Sequence, residues 1–263
     1  MTSPVRLSAH IGYLFTELPL ESRIAAARRA GFDAIEHPNP LSIPARRLRE
    51  LLDGEGLFFI QMAAGLGDPT RGEKGLAALP GRKAEFRDNL DRVLDYAEAI
   101  GCRLVHPMAG VPSGPGSEAA GTYRENLAFA VDRCRSRPVT VLVEAISEAA
   151  VPGYFLSTLD KALACADAVA PSDILVRVDT FHAAANGVDA AAFLDAHMAR
   201  VGHVHIADHP GRHEPGTGHV DFGPLLDRLT AREYRGAVGF EYVPSTAAAD
   251  SLSWLPRWKQ RFR

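Results

Sequence analysis

Eight times along the chain a short apolar run gives way to a segment with helical periodicity, and this alternation restricts the fold more than any other feature. Val5–Gly12, Ala34–Glu36, Leu57–Met62, Arg103–His106, Val139–Glu144, Ile174–Asp179, His203–Ala207 and Ala237–Tyr242 read as strands. Helical patterns follow them in turn over Leu20–Ala30, Ala45–Glu55, Lys83–Ile100, Tyr123–Arg135, Ser157–Val169, Ala190–Met198, Phe222–Arg232 and Leu252–Phe262. The clearest is Lys83–Ile100, whose Phe86, Leu90, Val93, Leu94 and Ala97 share one face. Gly31, Gly56 and Gly101 stand where helices should stop, because glycine accepts the left-handed backbone that closes a helix. Gly65–Gly81 and Met108–Thr122 read as long Gly-rich loops.

Strict strand–helix alternation predicts a parallel sheet. Eight repeats in 263 residues match a closed (β/α)₈ TIM barrel, one α/β domain spanning 1–263. A doubly wound sheet is the runner-up, but no strand leads into the G-x-G-x-x-G turn that cradles phosphates there. Hydrophobic residues at 46% allow a sizeable core, and a net charge of −3 offers no footprint for nucleic acid or an anionic membrane. No stretch approaches the length of a membrane span, and the start MTSPVRLSAHIGYLF lacks a signal-peptide cleavage pattern. Cys102, Cys134 and Cys165 are odd in number and widely spaced, which suits reduced thiols in a cytoplasmic protein.

In a barrel of this kind the C-terminal strand ends converge on one face, and that face carries the site. Glu144, Asp179, His205 and Glu241 end four consecutive strands, each closing an apolar run. Three carboxylates cannot share a dry pocket unless a cation neutralises them. Oxygen ligands with one nitrogen suit Mg²⁺ or Mn²⁺, with Co²⁺ or Zn²⁺ compatible. Against this stands the plainer reading of a single strand-end acid as a cap or surface group; four in succession favour the metal.

The stretch after the seventh strand, HVHIADHPGRHEPGTGHVDF, carries charge on a long loop, as binding loops do. Arg212 lies one tight turn past that strand, and its planar fork suits a substrate carboxylate better than an exposed salt bridge would require. His182, three residues after Asp179, reads as a loop residue that points into the barrel mouth toward a substrate oxygen, the alternative being a solvated loop histidine. Glu73 and Lys74 in the third loop are candidates to cover substrate, with a purely structural loop the equal alternative, and His106 ends a strand facing either the mouth or the core. His10 suits core packing or the support of a ligand; His209, His213 and His219 read as loop residues. Trp254 and Trp258 suit packing or a subunit contact, which leaves a homo-oligomer open.

At these residues the sequence resembles the xylose-isomerase-like barrel superfamily and, within it, the hydroxypyruvate isomerase family. The segments carrying the resemblance are FTELPLESRIAAARRAGFDAIE, GEKGLAALPGRKAEF, PGYFLSTLDKAL, VDTFHAAANGVD, HVHIADHPGRHEPGTGHVDF and GFEYVPS. The resemblance implies a metal-dependent isomerase of small hydroxy-oxo acids, of the hydroxypyruvate/tartronate semialdehyde or 2-oxo-tetronate type. It sets Glu144, Asp179, His205 and Glu241 on the metal positions, and Glu144 and Glu241 on the acid/base positions as well. This chain departs twice: the family usually has glutamine where His205 stands, and Glu-Pro-Ile-Asn where Glu144-Ala145-Ile146-Ser147 stands. Histidine at 205 resembles the ketose 3-epimerases, the alternative reading. An endonuclease-like phosphodiesterase would need a metal cluster and basic loops, and a non-catalytic binding barrel would need no glutamate pair.

Overall fold

This computed structural model describes residues 5–113, 116–231 and 234–262. Among them nine strands alternate with helices, and every strand pairing is parallel. The strands are β1 (Arg6–His10), β2 (Ala34–Glu36), β3 (Phe58–Phe59), β4 (Gln61–Ala64), β5 (Leu104–Pro107), β6 (Thr140–Glu144), β7 (Ile174–Asp179), β8 (Val201–Ile206) and β9 (Ala237–Phe240). Their order is β3-β2-β1-β9-β8-β7-β6-β5-β4. The two ends of that order, β3 and β4, are neighbours in sequence with Ile60 alone between them. This is the parallel, strand–helix order of a (β/α) barrel.

The helices are α1 (Leu20–Ala30), α2 (Ala45–Glu55), α3 (Lys83–Ile100), α4 (Gly116–Cys134), α5 (Leu159–Val169), α6 (Thr180–Ala185), α7 (Ala190–His197), α8 (Phe222–Ala231) and α9 (Leu255–Arg261). None among the described residues is long and apolar enough to cross a membrane. Helix ends follow local chemistry. Gly31 closes α1 at φ 101°, and Gly101 closes α3 at φ 75°. Asp179 and Asp189 cap α6 and α7 by accepting two backbone N–H groups each. The expected face of α3 is buried, with Ile100 added to it.

Three expectations needed adjustment. The third strand is two short strands broken at Ile60. The Met108–Thr122 loop ends early, because α4 starts at Gly116; burial of Ala119, Thr122 and Tyr123 outweighs the helix-weakening glycines. Helix α6 was not foreseen at all; the side chain of Asp179 caps it directly at the strand end. Arg232, the expected end of the eighth helix, lies outside the described residues, as do Met1–Pro4 and Gly114–Pro115.

The residues group into two compact units. One holds the chain up to His37, Arg47–Ile60 and everything from Val178 on. Its core includes Phe240, stacked on Trp254 with centroids 4.1 Å apart and edge-on to Trp258 at 5.4 Å, so both tryptophans pack inside this unit. The other holds Pro38–Arg46 and Gln61–Arg177. There the third loop joins the segment after β5: Leu76 and Ala77 donate to the Met108 carbonyl at 3.1 and 3.0 Å, and Ala78 to that of Ala109 at 2.8 Å.

Candidate active site

Asp179, His205 and Glu241 meet in the first unit. Each offers one ligand atom, and these atoms lie within 4.8 Å of one another. The neighbours of each side chain decide which atom it offers. Asp179 Oδ1 is used by the cap of α6, accepting from Phe181 N at 2.8 Å and His182 N at 3.2 Å. Oδ2 is left facing His205 Nδ1 at 4.0 Å. His205 is fully buried on β8; its Nδ1 lies 3.0 Å from Glu241 Oε2 and its Nε2 3.1 Å from Glu36 Oε2. Glu241 follows β9 directly, held by its N–H on the Ile206 carbonyl at 3.2 Å. Its Oε1 lies 3.3 Å from His10 Nε2.

Arg212 belongs to the same cluster. Its Nη2 donates to Glu241 Oε2 at 2.7 Å and to Asp179 Oδ2 at 3.4 Å, and its Nη1 to the Tyr13 hydroxyl at 3.3 Å. The guanidinium carbon lies 5.2 Å from the Tyr13 ring centroid and 5.3 Å from that of Phe181. The loop that carries Arg212 is built on Asp208, fully buried just after β8. The carboxylate of Asp208 accepts from His209 N, Gly216 N and Val220 N at 2.8–3.0 Å. The loop is also tied to the segment after β9: Val243 N donates to the Arg212 carbonyl at 2.8 Å, and Glu214 accepts from Ser245 N at 3.0 Å. Thr180 clasps the end of β8 by exchanging two hydrogen bonds with Ala207.

Burial disfavours a charge on Glu241, yet Arg212, His205 and His10 together hold its carboxyl well below the usual range. The same contest is won the same way at Glu36, where two imidazoles, His203 and His205, outweigh complete burial. Both carboxylates are therefore ionised at neutral pH.

The second unit carries Glu144 at the end of β6, buried and bonded to Arg177 Nη2. Arg177 Nη2 also lies 3.2 Å from His106 Nδ1, so His106 sits in a buried polar cluster with Glu144 and Arg177. Glu144 pairs in register with Arg177.

Other expected residues fall as follows. His182 is buried on α6, its Nε2 4.0 Å from Asp179 Oδ2. Glu73 is held by Arg82 at 2.9 Å, by Arg71 at 3.2 Å and by the N–H of Asp68 at 2.8 Å, which makes it an anchor of its loop. Lys74 is exposed. Sequence reasoning passed over Tyr13, Phe181, His203, Arg177 and Glu36. Glu36 alone had a visible signal, since Ala34-Ile35-Glu36 is an acid ending an apolar run like the others.

Parallel strands with acids and a histidine at their C-terminal ends define a TIM-barrel site. The profile of the xylose isomerase-like TIM barrels matches residues 24–258, and the chain belongs to that family. It is 38% identical over 252 residues to the 2-oxo-tetronate isomerase of Cupriavidus necator, covering 95% of this chain and 97% of that protein. It is 30% identical over 257 residues to the hydroxypyruvate isomerase of Escherichia coli K12, covering 97% and 100%. Among solved structures, an AP endonuclease, family 2, from Brucella melitensis superposes with a TM-score of 0.93 at 33% identity, covering 97% and 99%. Within its family the chain thus groups with the hydroxypyruvate isomerases, an isomerase group.

Proposed function

We propose that this protein is a metal-dependent isomerase of small hydroxy-oxo acids, of the hydroxypyruvate or 2-oxo-tetronate type, working as one barrel domain. The observation that carries the reading is the buried cluster of Asp179, His205 and Glu241. Two carboxylates and an imidazole gathered within 4.8 Å form a donor set that fits a divalent ion of the Mg²⁺ or Mn²⁺ kind. Glu144 is the fourth ligand in this reading, supported by its place at the end of β6. Bound there, the ion supplies charge neutralisation and Lewis-acid polarisation of substrate oxygens.

The chain's own residues do the rest. Isomerisation takes a proton from the hydroxyl-bearing carbon and returns one to the neighbouring carbonyl carbon, while a hydroxyl proton passes between the two oxygens. The substrate is an enediolate in between. Glu241, ionised and buried, is the base that removes the carbon-bound proton. Glu144 is the second proton carrier, acting at oxygen or at the other carbon. Arg212 grips the substrate carboxylate in two places, and Tyr13 and Phe181, lying against its guanidinium, keep water from that contact. His182, His106, Glu73 and Lys74 line or cover the substrate in the same reading.

Proton NMR in D₂O with Mg²⁺- or Mn²⁺-replete protein tests this. Deuterium should enter hydroxypyruvate or a 2-oxo-tetronate as it isomerises. Asp179→Asn should lose the ion, and Glu241→Gln assayed at saturating Mg²⁺ or Mn²⁺ should lose at least about a hundredfold in turnover. Exchange on neutral ketoses alone would move the assignment to a ketose 3-epimerase, the reading His205 favours. Hydrolysis of abasic DNA, with no isomerisation, would move it to the activity that the Brucella melitensis protein is named for.

A further inference from the structure

Glu36 is the one strand-end acid with no task in that scheme, and its surroundings are built around its carboxylate. It is fully buried, and a single oxygen, Oε2, lies 2.8 Å from His203 Nε2 and 3.1 Å from His205 Nε2. Two residues apart on β8, the histidines share one face of the strand, with ring centroids 4.7 Å apart and 76° between planes. To reach them from β2 the side chain must pass over β1 and β9, which separate β2 from β8 in the sheet. The residue on β9 that its carboxylate lies against is Gly239. A methyl group at Gly239 would overlap Glu36 Oε1 and come within 2.8 Å of both His203 Nε2 and His205 Cδ2. Gly239 has ordinary negative φ, so the backbone does not call for glycine there; the carboxylate does.

We propose that Glu36 is a positioning residue for the metal centre: it holds the Nε2–H of His205 so that Nδ1 is the nitrogen presented to the ion. Placing a carboxylate in a dry interior is costly unless partners compensate it. Here the partners are two imidazoles, and one belongs to the ligand set. Glu36 fixes both the rotation of the ring and which nitrogen keeps its proton, as an acceptor behind a metal-bound histidine does. His203 holds the same oxygen from the other side and keeps the carboxylate from swinging away. The inference rests on the metal reading above.

The test uses the full chain and Mn²⁺, with binding followed by the EPR signal of the free ion. Glu36→Gln keeps the volume of the side chain, and its Mn²⁺ affinity should fall 10- to 100-fold, the usual cost of losing such a partner. A second readout is the long-range ¹⁵N–¹H spectrum of ¹⁵N-histidine protein loaded with diamagnetic Mg²⁺, with His205 assigned by its loss in His205→Gln. In the unmodified protein His205 should be protonated at Nε2, with Nδ1 the nitrogen that shifts on loading. A folded Glu36→Gln protein that binds Mn²⁺ within twofold of the unmodified chain overturns the inference and leaves the metal reading standing. So does a proton on Nδ1 in the loaded unmodified protein, a result that needs no variant to fold. If the unmodified chain takes up no divalent ion, the metal reading fails first and carries this one with it.

Discussion

Arg212 shows how much a single residue can depend on its loop. Its φ of 57° lies in the left-handed region, which costs a non-glycine residue on the order of 1 kcal/mol or more. The cost is offset by backbone bonds on both sides: Arg212 N donates to the Asp208 carbonyl at 3.0 Å, and the Arg212 carbonyl accepts from Val243 N at 2.8 Å. The unusual backbone turns the guanidinium onto Glu241 and Asp179, which sequence position alone did not foretell. Arg212→Ala should therefore do two things. On acid substrates kcat/KM should fall by roughly 2–4 kcal/mol, on the order of 30- to 1,000-fold, with Arg212→Lys recovering part because a point charge lacks the fork. Loss of the cation also lets the Glu241 carboxyl rise, so the acidic limb of the rate–pH profile should move to higher pH. Steady-state kinetics across pH on acid and neutral substrates check both; an equal loss on both with an unmoved limb would reduce Arg212 to a loop residue.

At the scale of elements, the third loop is the clearest departure from what its composition suggests. Its glycines read as freedom, yet Gly75 forms an antiparallel bridge with Ala109 and sits at φ 137°. A Cβ there would lie 2.5 Å from both Gly110 N and Met108 O, backbone atoms that cannot step aside. Gly81, a few residues on, has open space around it and no positive φ. Gly75→Ala should cost more than about 1 kcal/mol, lowering Tm by at least about 2–4 °C, whereas Gly81→Ala should stay within about 0.5 kcal/mol. Thermal melts of the two variants decide; equal Tm values would mean the bridge carries little of the loop's order. The regular elements were easier to read. Gly31 and Gly101 after α1 and α3 are local signals that need no tertiary contact. The break at Ile60 left no such mark, because a strand bend is set by the neighbours it pairs with.

For the molecule as a whole, buried ionised carboxylates tie stability to pH. Glu36 and Glu241 titrate well below the usual range in the folded chain, against about 4.3 when unfolded. A depressed folded-state pKa stabilises fully above the unfolded value and is lost as pH falls through the folded one. Stability should therefore be level above about pH 5 and drop steeply below about pH 4.3. Urea melts between pH 3 and 7 should show this, and Glu241→Gln should flatten the acid limb; an unchanged slope would mean Glu241 contributes nothing to it. The alternation of apolar runs and helical periods determined the parallel barrel, because those patterns are written in neighbouring residues. So was the location of Glu144, Asp179, His205 and Glu241 at or beside the C-terminal ends of β6, β7, β8 and β9. The tertiary structure alone decided which partners meet His205 and Glu241. Glu36 beside His205, and Val243 on the turn that carries Arg212, come together from distant parts of the sequence only through packing, whereas the α6 cap on Asp179 is local.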